Sequence, residues 1–174
     1  TQSAGMGAAM GCAAGAVLIE YSEFSHCGHN ANPATHNLYI SQHVTNLIYR
    51  YNYSHHSYEG HLLKSRARES LIAHNTIVDG PLGSASYEID LPNGGLARVI
   101  DNTIGQSADT ENPVLVAYGA EGAAWPVSAL TLEGNLLIND RKGATIYGSG
   151  SKSETADFEN GDAHLLGLSL AYRF

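Results

Sequence analysis

Cations are scarce in this chain. Three lysines and six arginines stand against 17 acidic residues, giving a net charge of −8 over 174 residues. Phosphate recognition needs clustered Lys and Arg, so a nucleic-acid partner is excluded as an expectation. Cysteine is nearly absent. Cys12 and Cys27 cannot define a disulfide framework; they either form one bridge near the N-terminus in an oxidising compartment or remain two buried thiols. No stretch reaches the length of a transmembrane helix. Residues 1–16 are small and lack a basic start, so they do not read as an intact secretory signal. Three phenylalanines and one tryptophan are outnumbered by ten tyrosines and nine histidines. The aromatic content is therefore polar-tipped, which suits sugar contacts and equally suits polar strand faces. Nineteen glycines against five prolines point to many tight corners.

What is present is a repeat. Segments 18–24, 47–53, 71–77, 99–104 and 130–137 superimpose as an apolar strand that ends in a small or polar residue followed by an apolar one. This alignment puts Ser22, Tyr51, Asn75, Asn102 and Asn135 in one column, and Phe24, Tyr53, Ile77, Ile104 and Leu137 in a second. Self-similarity at this spacing marks a solenoid. Each copy is followed by a variable turn and a second short strand: 36–40, 61–65, 87–91, 114–118 and 144–147. Short strands, Gly/Asn/Pro turns and no three-to-four apolar stripe exclude helical solenoids, and the dense leucine template of a horseshoe is missing. The fold class is therefore all-β, a right-handed parallel β-helix of about five coils. Its organisation reads as a Gly/Ala-rich cap or tail over 1–16, coils over 17–152, and a capping or association strand over 153–174.

Stacked coils bring equivalent residues about 4.8 Å apart, so asparagines in one column can bond up the ladder and satisfy the backbone at each corner. Asn75, Asn102 and Asn135 are expected to be scaffold. Gly94-Gly95 and the glycines of 119–122 lack the strand-to-helix setting and lysine of a phosphate loop, and are expected to relieve corners.

The runs Thr35-His36-Asn37-Leu38-Tyr39-Ile40-Ser41, Tyr53-Ser54-His55-His56 and Gly60-His61-Leu62-Leu63-Lys64-Ser65-Arg66-Ala67 carry a family likeness. So do Ser86-Tyr87-Glu88-Ile89-Asp90-Leu91-Pro92-Asn93-Gly94-Gly95 and Glu111-Asn112-Pro113. Together they resemble the pectate-lyase-like β-helix superfamily, closest to bacterial secreted right-handed parallel β-helix repeat proteins. The resemblance implies an extracellular or periplasmic location, with the cell surface included, and an acidic polysaccharide as partner. Lys64-Ser65, with Asn75-Thr76-Ile77 a coil later, is also similar to the stretch around the catalytic lysine of chondroitinase B and alginate lyases. Those enzymes follow it with an arginine-histidine stretch, where this chain has Leu91-Pro92-Asn93-Gly94-Gly95.

β-Elimination on a uronic-acid polymer needs a carboxylate neutraliser, a base for the C5 proton and a proton donor for the leaving oxygen. Lys64 is the candidate base, Arg66 the neutraliser, and His61 or Tyr87 the acid. His36, His55, His56, Asp90, Asn93 and Tyr118 are candidate substrate contacts. Should Lys64 and Asp90 fall on equivalent positions of neighbouring coils, one strand spacing favours an ion pair, which keeps the lysine charged and a poor base. The rival reading is a non-catalytic carbohydrate-binding or assembly module, in which Lys64 and Arg66 hold an acidic sugar without cleaving it.

No metal ligand set is assigned and no cofactor is required. His55 and His56, adjacent on a strand end, are expected to face opposite ways, while His26, His29, His36 and His61 are candidates to converge on one face. Calcium is the possible ion, through Asp79, Asp90 and Asp101 on neighbouring coils. From Leu166 to Phe174 apolar and small residues alternate, a strand with one apolar face. Three readings stand for it: a cover on the last coil, an edge for a homo-oligomer, or a membrane-assembly signal similar to the closing strand of outer-membrane barrels. The remainder lacks the strands to build a barrel alone, which weighs against membrane association.

Overall fold

The structure, a computed structural model, describes residues 8–10, 15–27, 36–122, 124–141, 145–149, 152–154, 163–166 and 170–173, with side chains described in 15–27, 36–122 and 124–141. Strand β1 (Ala8–Met10) precedes a first coil of β2 (Gly15–Glu20), β3 (Glu23–Ser25) and β4 (Leu38–Ile40). The second coil is β5 (Val44–Arg50), β6 (Tyr53–His55) and β7 (His61–Ser65). The third is β8 (Glu69–Ala73), β9 (Thr76–Val78) and β10 (Tyr87–Leu91). The fourth is β11 (Leu96–Ile100), β12 (Thr103–Gln106) and β13 (Val114–Tyr118). The fifth is β14 (Ala129–Glu133), β15 (Asn135–Asn139) and β16 (Thr145–Ser149), after which come β17 (Lys152–Glu154), β18 (Ala163–Leu166) and β19 (Leu170–Arg173).

Each strand pairs in parallel with its equivalent one coil on, giving three sheets in a parallel β-solenoid. The sheets run β1-β4-β7-β10-β13-β16, β2-β5-β8-β11-β14 and β3-β6-β9-β12-β15, and each is closed by one antiparallel strand, β17, β19 and β18 respectively. In the C-terminal segment, β18 and β19 are described, lying antiparallel on β15 and β14 of the last coil. Cys27 is a buried free thiol; Cys12 and His29 lie outside the described residues.

The repeat has three strands per coil, because what reads as one apolar strand is two strands meeting at a sharp corner. Tyr21, Tyr51, His74, Asp101 and Gly134 occupy that corner with φ of 50, 57, 55, 53 and 64°. This left-handed backbone turns the chain from one sheet into the next. The residue after each corner forms the ladder: Ser22, Asn52, Asn75, Asn102 and Asn135. The Oδ1 of Asn75 accepts from the Asn52 N–H and side-chain amide at 2.9 and 3.1 Å, and Asn102 and Asn135 repeat the pattern. Each amide also donates to a backbone carbonyl, Tyr49, Ile72 or Val99, so the buried corner is satisfied.

Asn52, and not Tyr51, belongs to that column, and Ser54, and not Tyr53, aligns with Phe24, Ile77, Ile104 and Leu137. The sequence alignment slips by one in the second coil. Leu47-Ile48 imitates the pairs Leu18-Ile19 and Leu71-Ile72, but the inward rows are Val17, Leu47, Ser70, Ala97, Leu130 and Ile19, Tyr49, Ile72, Val99, Leu132, of which only Ile19 is partly exposed. A fully buried tyrosine fills the place that aliphatic residues take in the other coils.

The core also encloses acid. Glu88 is fully buried, and neither of its oxygens has a hydrogen-bond partner among the described residues. Burial pushes its carboxyl well above the ordinary range, and nearby Asp79 adds to the shift. Asp79, itself pushed up to about 6 by burial, accepts N–H bonds from Ser57 and Ala85 at 2.9 and 2.8 Å, which oppose that rise.

Candidate functional site

Three stacked rungs of the sheet containing β4, β7 and β10 bring polar side chains together. His36, His61 and Tyr87 form a ring stack, with centroids 4.6 and 5.1 Å apart. The His61 N–H donates to His36 Nδ1 at 3.1 Å, and the Tyr87 N–H donates to His61 Nδ1 at 3.2 Å. Both Nδ1 atoms are therefore bare acceptors, which puts the proton of each neutral ring on Nε2. Burial, with His61 and Lys64 nearby, pushes His36 down to about 3.

Lys64 and Asp90 are register partners on β7 and β10, and Lys64 Nζ lies 2.7 Å from Asp90 Oδ2. The same oxygen faces His61 Nε2 at 3.2 Å. Burial alone would raise the Asp90 carboxyl, but the hydrogen bonds from His61 and Lys64 and the charge of Lys64 outweigh it and hold Asp90 below its ordinary value. Asp90 is only 2% exposed, and its Oδ1 has no partner among the described residues.

A turn from the fourth coil completes the cluster. Gly119 and Gly122 take φ of 67 and 94°, and the turn is tied down where Gly119, Glu121 and Ala124 donate to the carbonyls of Leu91, Pro92 and Asn93. It delivers Glu121, whose Oε1 lies 3.1 Å from Lys64 Nζ and whose Oε2 lies 2.6 Å from Arg66 Nη2. Burial pushes the Glu121 carboxyl up, but the two cations prevail and leave it below its ordinary value. Arg66 Nη1 donates to Asn93 Oδ1 at 2.5 Å, and Trp125 Nε1 donates to the Arg66 carbonyl at 3.3 Å.

Lys64, Arg66, His61, Tyr87, His36, Asp90 and Asn93 thus share one network. Three other candidates lie elsewhere. Tyr118 is 1% exposed, and its hydroxyl donates to the Gly95 carbonyl beneath the turn. His55 and His56 sit at the end of β6, where they meet instead of diverging: their Nδ1 atoms are 2.6 Å apart, and His55 Nε2 is 3.0 Å from Glu23 Oε1. The alternation expected of a strand fails there because His56 is at φ 47°. His26 stacks on His56 at 5.2 Å, so it joins this group and not His36 and His61.

The aspartates considered for calcium do not converge. Asp79 caps two backbone N–H groups in the interior, Asp90 is bound to Lys64 and His61, and Asp101 stands on the exposed corner 3.9 Å from His74 Nδ1. Among the described residues no three His, Cys, Asp or Glu side chains are grouped to hold a metal ion.

Glu121 is the member that sequence reasoning missed. It lies 57 residues from Lys64, in a turn whose only signal is its flanking glycines. Chemically the cluster is a carboxylate-binding arrangement already carrying a carboxylate. Lys64 donates to two acids, and both His61 nitrogens are engaged, so neither presents a free lone pair. Tyr87 keeps its proton: burial and then Asp90 hold its phenol above the ordinary range. No protein-family model, curated protein or solved structure matches the chain.

Proposed function

We propose that this protein binds an acidic polysaccharide without cleaving it, as an extracellular or periplasmic β-helix of the pectate-lyase-like kind, with Lys64 and Arg66 as the pair that grips a sugar carboxylate. The observation that carries this reading is Glu121, which places one carboxylate oxygen on each cation from a half-exposed position. A uronate carboxylate has the same charge and the same two-oxygen spread, and takes the same seat when Glu121 swings away. Asp90, buried behind Lys64, holds the ammonium toward that seat, while Asn93 orients the Arg66 guanidinium. No calcium bridge is needed, because the side chains supply the positive charge.

Isothermal titration with polygalacturonate and alginate oligosaccharides tests the reading. Binding should weaken at least about tenfold in Arg66→Ala and fall with added salt. Equal affinity in Arg66→Ala, or no binding by any acidic oligosaccharide, contradicts it. The second reading, cleavage by β-elimination, is favoured by the protonated Tyr87 phenol beside Lys64 and Asp90, a donor suited to a leaving oxygen. Absorbance of the unsaturated product separates the two: a signal lost in Tyr87→Phe means a lyase.

A further inference from the structure

The corner between the sheet of β2, β5 and β8 and the sheet of β3, β6 and β9 carries a second feature that the charged cluster does not use. Tyr21, Tyr51 and His74 stand one above another with ring centroids 5.2 Å apart at each step and interplanar angles of 11 and 7°. They border an open groove of about 570 Å³, also lined by Glu23, Tyr53 and Thr76. Tyr21 is 78% exposed, and Tyr51 and Tyr53 are each 42% exposed.

The fold does not ask for aromatics there. All five corner residues have positive φ, a conformation suited to Gly, Asn or Asp, and the fourth and fifth coils use Asp101 and Gly134. Tyr21 and Tyr51 adopt the same strained backbone and then leave their rings in solvent, so neither local geometry nor burial accounts for them. Contiguous exposed aromatic surface of this kind marks a ligand site.

We infer that this groove binds a neutral saccharide chain. Sugar rings join apolar C–H faces to a rim of hydroxyls, which matches tyrosine rings interleaved with a carboxylate and a threonine hydroxyl. Charge excludes the acidic ligand proposed for Lys64 and Arg66. Glu23 lines the groove, and Arg50, 5.7 Å from the Tyr51 ring centre, is ion-paired to Glu20. A small organic cation has only the outer face of Tyr21 to sit on, since both faces of Tyr51 are covered by its neighbours, whereas a sugar chain also engages the tyrosine edges and hydroxyls, Glu23 and Thr76 along the groove. Tyr21, which ends the column among the described residues, offers its outer face for C–H contact. The inference stands independently of the acidic site.

Calorimetric titration of the whole chain with cellohexaose, xylohexaose and mannohexaose, and with tetramethylammonium as the cation probe, decides it. At least one hexasaccharide should bind. Tyr21→Asn and Tyr51→Asn, chosen because asparagine tolerates the corner backbone, should weaken it about tenfold without lowering the melting temperature. Lys64→Ala should leave it unchanged. Failure of all three sugars at millimolar concentration, binding insensitive to both tyrosine variants, or binding of tetramethylammonium alone overturns the inference. Loss of acidic binding with retained neutral binding would count only against the Lys64–Arg66 reading.

Discussion

The charged cluster and the aromatic groove stand on overlapping coils, yet they solve opposite problems. Around Lys64 every formal charge has a partner from the same chain: Lys64 with Asp90 and Glu121, and Arg66 with Glu121. Around Tyr51 the stacked rings satisfy one another and leave their remaining surface in water. The first region is closed by a turn that must yield before a ligand enters; the second is open and costs backbone strain. In a solenoid both follow from one rule, since residues at equivalent positions are held one rung apart. A rung that alternates acid and base closes on itself, whereas a rung of aromatics stacks and stays accessible.

The largest expected effect is on the closed side. Asp90→Ala strands the 8%-exposed Lys64 beside the more exposed Glu121 alone, and should cost about 3 kcal/mol in urea unfolding, the usual scale for breaking a buried pair. Tyr51→Asn should cost nothing measurable by the same assay. Comparable losses at the two positions would erase the distinction.

Acid and alkali should act on different carboxyls. Asp90 has a folded pKa below its ordinary 3.8, so its contribution is present above that value and is lost as pH falls below it. Glu88 is the reverse. Its folded pKa lies well above 4.5, so stability is complete below 4.5 and declines as pH rises toward the folded value. Asp79 acts in the same direction between 3.8 and about 6. Glu88→Gln should therefore gain on the wild type by up to about 1.4 kcal/mol per pH unit across the Glu88 window. A stability difference flat from pH 4 to 8 would contradict the buried, protonated Glu88. The smallest effect belongs to Glu121→Gln, whose half-exposed partnership should change stability by about 0.5 kcal/mol or less.

The solenoid was legible because its signal is repeated: five apolar segments and a column of asparagines cannot easily arise from another fold. The pairing of Lys64 with Asp90 was legible for the same reason, as it needs only the offset between adjacent coils. The slip at Asn52 shows where that reasoning weakens. Tyr49 is amphipathic, and nothing local distinguishes an inward tyrosine from an outward one. The meeting of His55 and His56 depended on one residue adopting positive φ, which histidine does not advertise. Glu121 was illegible because a turn can place its tip over any neighbouring coil. The Tyr21–Tyr51–His74 stack escaped notice because the slipped alignment set Tyr51 in the asparagine column.

The central claim is that Glu121 occupies the seat of a sugar carboxylate. Calorimetric titration of the wild type and Glu121→Gln with the same polygalacturonate oligosaccharide tests it directly. Removing the internal competitor should tighten binding about threefold, the most that a partnership of about 0.5 kcal/mol can release, with the gain abolished in Glu121→Gln/Arg66→Ala. Unchanged or weaker binding by Glu121→Gln would contradict the account.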